Sequence, residues 1–123
     1  MLDGLLPAEV RELPEELAAL DRLLADPRLL APIEQAWERT ARERGRPTIP
    51  MASFVRLMVI KQRTGWGYQT LVREVSDSLH LRRFCLIPLP QRVPDESTVR
   101  KLARRLGPET VNELTRVVIG MAQ

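Results

Sequence analysis

The chain of 123 residues is 44% hydrophobic and 28% charged, as expected of one globular domain, and with aromatics at only 4% its core must be aliphatic. One cysteine and one histidine exclude an internal disulfide and a cysteine-based zinc site, no apolar run reaches membrane-spanning length, and the leading MLDGLLPAEVRELPEEL is acidic where a secretory signal is basic. The net charge of +3 is segregated: residues 1–27 hold seven acids and two bases, whereas residues 61–105 hold ten bases and four acids, so an anionic partner is expected toward the second half.

Helical periodicity runs through nearly every segment. LPEELAALDRLLADP has Pro14 at a first-turn position and Glu15 and Glu16 beside it, all favourable at a helix N-terminus. Its stripe is Leu17, Leu20 and Leu24, and Asp26-Pro27 reads as its stop. PIEQAWERTARERG repeats the design with Ile33, Ala36, Trp37 and Ala41, and Gly45 suits the helix end. RPTIP, broken twice by proline, reads as a linker. It divides the chain into an acidic helical arm at 1–45 and a helix-turn-helix-like domain at 46–123. MASFVRLMVIKQRTG is apolar around most of its circumference, which places it at the centre of a bundle. YQTLVREVSDSLHL reads as one amphipathic helix with Leu71, Val72, Val75 and Leu79 inward and Arg73, Glu74 and Asp77 outward. LRRFCLI admits a short helix or the tail of the one before it. PLPQRVP is a loop, because Pro94 biases Val93 away from helix. After VPDESTVRKLARRLG, Gly107-Pro108 breaks the chain before a last apolar helix with Val111, Leu114, Val118 and Met121. The expected fold class is all-α, a compact helical bundle.

VPDESTVRKLARRLG, residues 93–107, carries the functional signal. Asp95 follows a proline and precedes a helical run, the position of an N-cap. With about 100° per residue and Arg100 as origin, Arg104 falls near 40°, Ser97 near 60°, Lys101 near 100° and Arg105 near 140°. Val99, Leu102, Ala103 and Leu106 gather between roughly 200° and 300°. Cations therefore hold one face and aliphatics the other, with no acid expected on the cationic face to pair with them. A helix laid in a major groove is built this way. Ser97, Thr98, Arg100, Lys101 and Arg104 are placed to reach base edges, while Arg82, Arg83, Arg92, Arg105, Lys61 and Arg63 are placed for phosphates. Tyr68 offers a hydroxyl to a phosphate or packs at a helix start. A plain surface helix showing Lys and Arg opposite its core stripe would have the same pattern.

Other signals point to structure rather than chemistry. RGRP at 44–47 matches the core of a minor-groove AT-hook, but an ordinary helix stop explains it as well. Cys85, between Phe84 and Leu86, is expected to be a buried structural thiol. His80 has no neighbour at catalytic or ligand spacing, Trp37 lies on a core stripe, and Trp66 suits a tight corner. Arg73 is spaced to pair with Asp77, and Asp95 is accounted for as a cap, so Glu74, Asp77 and Asp95 give no metal or hydrolytic site. No catalytic residue, metal ligand, cofactor or small-molecule substrate is expected.

The stretch from Met51 to Gly107 resembles the N-terminal region of bacterial insertion-sequence transposases of the DDE type. The features that carry the resemblance are Gly67-Tyr68, Leu71-Val72-Arg73-Glu74 and Asp77-Ser78, then Arg82-Arg83-Phe84-Cys85, and Val93-Pro94-Asp95 ahead of Ser97-Thr98. It implies an all-helical domain that recognises the terminal inverted repeats of a mobile element, ahead of a ribonuclease-H-like catalytic domain. The chain stops at Gln123 with no acidic triad to map, so DNA recognition carries over and catalysis does not. Double-stranded DNA at transposon ends is the expected partner, at a cytoplasmic, nucleoid-associated location and away from membranes. The alternative is a protein-interaction module, in which the acidic arm and last helix form a homodimer that regulates full-length transposase.

Overall fold

A computed structural model describes residues 14–122, and these form helices with no strand among them. The first, α1 (Glu15–Leu24), follows Pro14 and buries Leu17, Leu20 and Leu24, as their spacing predicts. Asp26-Pro27, expected as a stop, is also a start. The Asp26 side chain accepts the Arg28 N–H, and α2 runs Pro27–Arg44, longer than its apolar spacing indicated. A proline at the first helical position loses no hydrogen bond, because that N–H has no partner in any helix. Gly45, at φ +87°, ends α2 with its N–H on the Ala41 carbonyl.

Residues 45–50 lead into α3 (Met51–Thr64), where every residue from Ser53 to Ile60 is buried. The chain then turns at Gly65, in the left-handed region at φ +79°, and enters α4 (Tyr68–Asp77). The expected single helix through Leu79 does not form. Ser78 is extended, and its hydroxyl accepts the Leu81 N–H to start α5 (Leu79–Phe84). A serine that caps a following helix competes with continuation of the preceding one. Leu79, expected inward, is consequently exposed. At the end of α5 the Ile87 N–H reaches the Arg82 carbonyl and the Leu86 N–H the Arg83 carbonyl, with Leu86 at φ +62° where glycine usually sits. A loop leads to α6 (Glu96–Leu106), which Gly107 closes at φ +102°, and α7 (Pro108–Ala122) begins at once.

The central helix α3 packs most extensively on α7, and α1 and α2 also lean on α7. Helix α4 packs against both α5 and α6. Leu20, Ile33 and Trp37 from the first two helices share one apolar cluster with Phe54, Leu57, Leu71, Phe84, Val99 and Val118. Trp37 and Phe54 meet with ring centroids 5.8 Å apart. Residues on both sides of the expected division at 45 thus feed the same cluster. One member of α3 is not apolar. Arg56 is 6% exposed, pairs with Asp21 of α1, donates to the Phe84 carbonyl at 2.9 Å and lies over the Phe84 ring at 5.2 Å. This buried guanidinium joins α1, α3 and α5.

Candidate nucleic-acid interface

Helix α6 is held from behind and opens forward. Val99, Leu102, Ala103 and Leu106 are buried, and the helix packs on α2, α4 and α7. Its cap is Asp95, whose Oδ1 accepts the Thr98 N–H at 2.8 Å and the Ser97 hydroxyl at 2.9 Å. The Thr98 N–H, then the Ser97 and Thr98 side chains, hold the Asp95 carboxyl below its ordinary pKa. The chain's own anion therefore fills the helix N-terminus, leaving the exposed side chains further along to meet an outside anion. The Ser97 hydroxyl donates its hydrogen bond to Asp95, which leaves its oxygen free to accept.

The cationic face divides into a centre and two edges. At the centre Lys101 and Arg104 are exposed, and no ion pair or side-chain hydrogen bond among the described residues involves either. At one edge, the expectation that no acid would pair with this face is overturned. Glu96 lies one turn before Arg100 and accepts its guanidinium at 2.8 Å, a contact of the i,i+4 kind that helix geometry favours. Arg100 also lies 5.3 Å over the Tyr68 ring, and Lys61 lies 4.6 Å over the same ring. At the other edge Arg105 donates to the Arg44 and Gly45 carbonyls at 3.3 and 3.4 Å. Those bonds tie α6 to the end of α2.

The remaining basic residues scatter. Arg82 donates to the carbonyls of Ser76 at 3.1 Å, Pro88 at 3.2 Å and Gln91 at 2.9 Å, stapling the loop before α6 to the end of α4. Arg63 pairs with Glu16 on the α1 side. Arg83 is half-buried on α5, and Arg92 is exposed in the loop beside Asp95 and Thr98, where all three line a shallow cavity. Helix α4 and helix α6, on which a helix-turn-helix would rest, are in contact but separated in sequence by α5 and this stapled loop.

Sequence reasoning missed one grouping altogether. The Gly65-Trp66-Gly67 corner returns the chain so that Tyr68 meets Lys61, and α6 supplies Arg100 and Arg104 opposite. Together with Gln62, Trp66 and Asn112 they line a cavity of about 400 Å³ between α3, α4, α6 and α7. Among the described residues that line it there is no carboxylate. The only signal in the sequence was the glycine pair flanking Trp66, which marks a tight turn without saying what it faces.

The other candidates fall into structural places. Cys85 is fully buried, and burial pushes its thiol up to about 12, with Arg56 opposing the shift. Arg73 pairs with Glu74 at 3.7 Å instead of Asp77. In RGRP, Gly45 caps α2 and Arg46 pairs with Glu38 at 3.5 Å. Among the described residues no three His, Cys, Asp or Glu side chains converge in a way that could hold a metal ion, and no helix is long and apolar enough to cross a membrane. A family model described as Transposase domain (DUF772) matches residues 6–105, which takes in α1 through α5 and nearly all of α6. No curated protein and no solved structure matches the chain.

Proposed function

This chain belongs to the transposase domain family whose model spans residues 6–105, and from that premise we propose that it recognises the terminal inverted repeats of a DDE-type insertion sequence in DNA transposition, without performing the catalysis itself. One observation carries the proposal: the exposed line of Ser97, Lys101 and Arg104 on a helix whose opposite side is buried. Among the described residues no acid pairs with Lys101 or Arg104, so none of them has to be displaced before these two meet DNA. Arg104 reaches a base edge, Lys101 a base or phosphate, and Ser97 accepts from a base amino group. Thr98 and Arg92, beside the cap, approach the backbone. Arg100, Lys61 and Tyr68 form the flank toward α3. Arg82, Arg83, Arg63 and Arg105 contribute mainly through positive potential, since Arg82, Arg63 and Arg105 already serve acceptors within the chain.

The test is a competitive titration with duplexes from the ends of the encoding element and with scrambled duplexes of equal length. Arg104→Ala is expected to weaken end binding by about 1–3 kcal/mol and scrambled binding by less. Equal losses on both would sink the assignment of Arg104 to base readout. Equal affinity of the unaltered protein for both would sink sequence recognition.

A second reading has its own observation. Val117 and Met121 are exposed on α7, and Val117 lines an apolar cavity of about 620 Å³ with Leu29, Pro32 and Leu114. Self-association through this face fits a homodimer. Light scattering of Val117→Asp should then report a smaller species than the unaltered chain. A monomer in both cases would remove the dimer.

A further inference from the structure

We propose that the cavity between α3, α4, α6 and α7 holds a single unpaired nucleotide of the DNA that lies on α6; this rests on the DNA-recognition reading above. Shape is the first ground. The cavity is a recess of about 400 Å³, within the size range of pockets that enclose small ligands. A duplex is convex and can only rest across such a mouth, whereas one unstacked nucleotide can enter it.

Chemistry is the second ground. Lys61 from α3 and Arg100 and Arg104 from α6 bring positive charge to the recess, with no carboxylate among the described residues that line it. Glu96, which pairs with Arg100, is not a lining residue. Lys61 and Arg100 are both docked over the Tyr68 ring, which fixes two long flexible cations in advance of any ligand. Tyr68 thus acts as a positioning residue, and its ring is not the stacking surface. That role falls to Trp66, which is half-buried at the corner and offers a π-face that any base can use. Gln62 and Asn112 are exposed amides that also line the cavity, each able to donate to and accept from a base edge.

Position is the third ground. Arg104 belongs both to the exposed line of α6 and to the cavity wall. A strand leaving a duplex seated on α6 would therefore pass into the recess at this residue. An acidic side chain from a protein could satisfy the three cations, but it would leave the two amides and Trp66 unused.

Fluorescence anisotropy on the full chain tests this with two probes: a blunt duplex and the same duplex bearing a three-thymidine single-stranded overhang. The overhang should tighten binding by about tenfold, the scale of stacking one base. The double variant Gln62→Ala, Trp66→Ala should lose that gain and keep blunt-duplex affinity, because neither residue lies on the exposed line of α6. Lys101→Ala should weaken both probes alike. Equal binding of the two probes, or a gain that survives in the double variant, would overturn the cavity proposal while leaving duplex recognition standing. Failure to bind either probe would overturn both.

Discussion

The joint around Arg56 and the ridge on α6 use the same side-chain chemistry to opposite ends. Arg56 is surrounded: a carboxylate, a carbonyl and an aromatic ring from two other helices occupy its guanidinium. Lys101 and Arg104, both exposed, have no ion pair or side-chain hydrogen bond among the described residues. The difference teaches that a count of basic residues says little about DNA. What counts is how many hydrogen-bond donors remain after the fold has taken its share, and by that measure Arg82, Arg105 and Arg63 stand with Arg56.

The largest expected effect breaks the interior side of the comparison. Arg56→Ala removes a buried tie between three helices and should cost about 3–5 kcal/mol in urea unfolding. Asp21→Asn leaves the guanidinium its carbonyl and ring partners, and Asp21 is partly solvated, so about 2 kcal/mol is expected. If Asp21→Asn is neutral, the joint is held by Phe84 alone.

Arg82→Ala comes next. It strips the donor from three carbonyls and should cost about 1–2 kcal/mol of stability, while the salt dependence of DNA binding changes little. A large change in that dependence with stability intact would move Arg82 from the interior class to the DNA-facing one.

Cys85 gives a pH test of how tightly the interior is sealed. Its folded pKa is raised, so the folded chain keeps a proton that the unfolded chain loses. Stability from this group is whole below the ordinary value of 9.0 and declines as pH rises from there toward about 12. The slope is at most about 1.4 kcal/mol per pH unit. Cys85→Ala should flatten the curve relative to the unaltered chain between pH 9 and 11, and an unchanged curve would mean that the thiol is open to water.

The smallest effect is a gain. Leu86 is 51% exposed at φ +62°, so Leu86→Gly removes backbone strain at little loss of packing and should stabilise by about 1 kcal/mol. Destabilisation would show that the leucine side chain is needed.

Local patterns made much of this legible. The leucine stripe of α1, the all-round burial of α3, the Asp95 cap and the inward face of α6 are all consequences of residues within a turn or two of each other. The Glu96–Arg100 pair was equally local and readable, since the two stand four apart. Ser78 was harder, because a serine inside an apolar pattern signals either a solvent-facing position or a cap, and only packing chooses. Arg56 stands as a single charge within the apolar run of α3. Its partners Asp21 and Phe84 stand 35 and 28 positions away, and no spacing rule reaches that far. The same holds for the Arg105 bonds to the end of α2, and for the cavity that Lys61, Tyr68 and Arg104 share. The cationic wheel was right in outline, but tertiary contacts reduced it to a narrower ridge.

That ridge is tested most directly by the salt dependence of duplex binding for the double variant Lys101→Ala, Arg104→Ala beside the unaltered chain. If each side chain releases one condensed counterion, the slope of log affinity against log salt should shrink by about two, with unfolding unchanged. An unaltered slope in a fully folded variant would contradict the account.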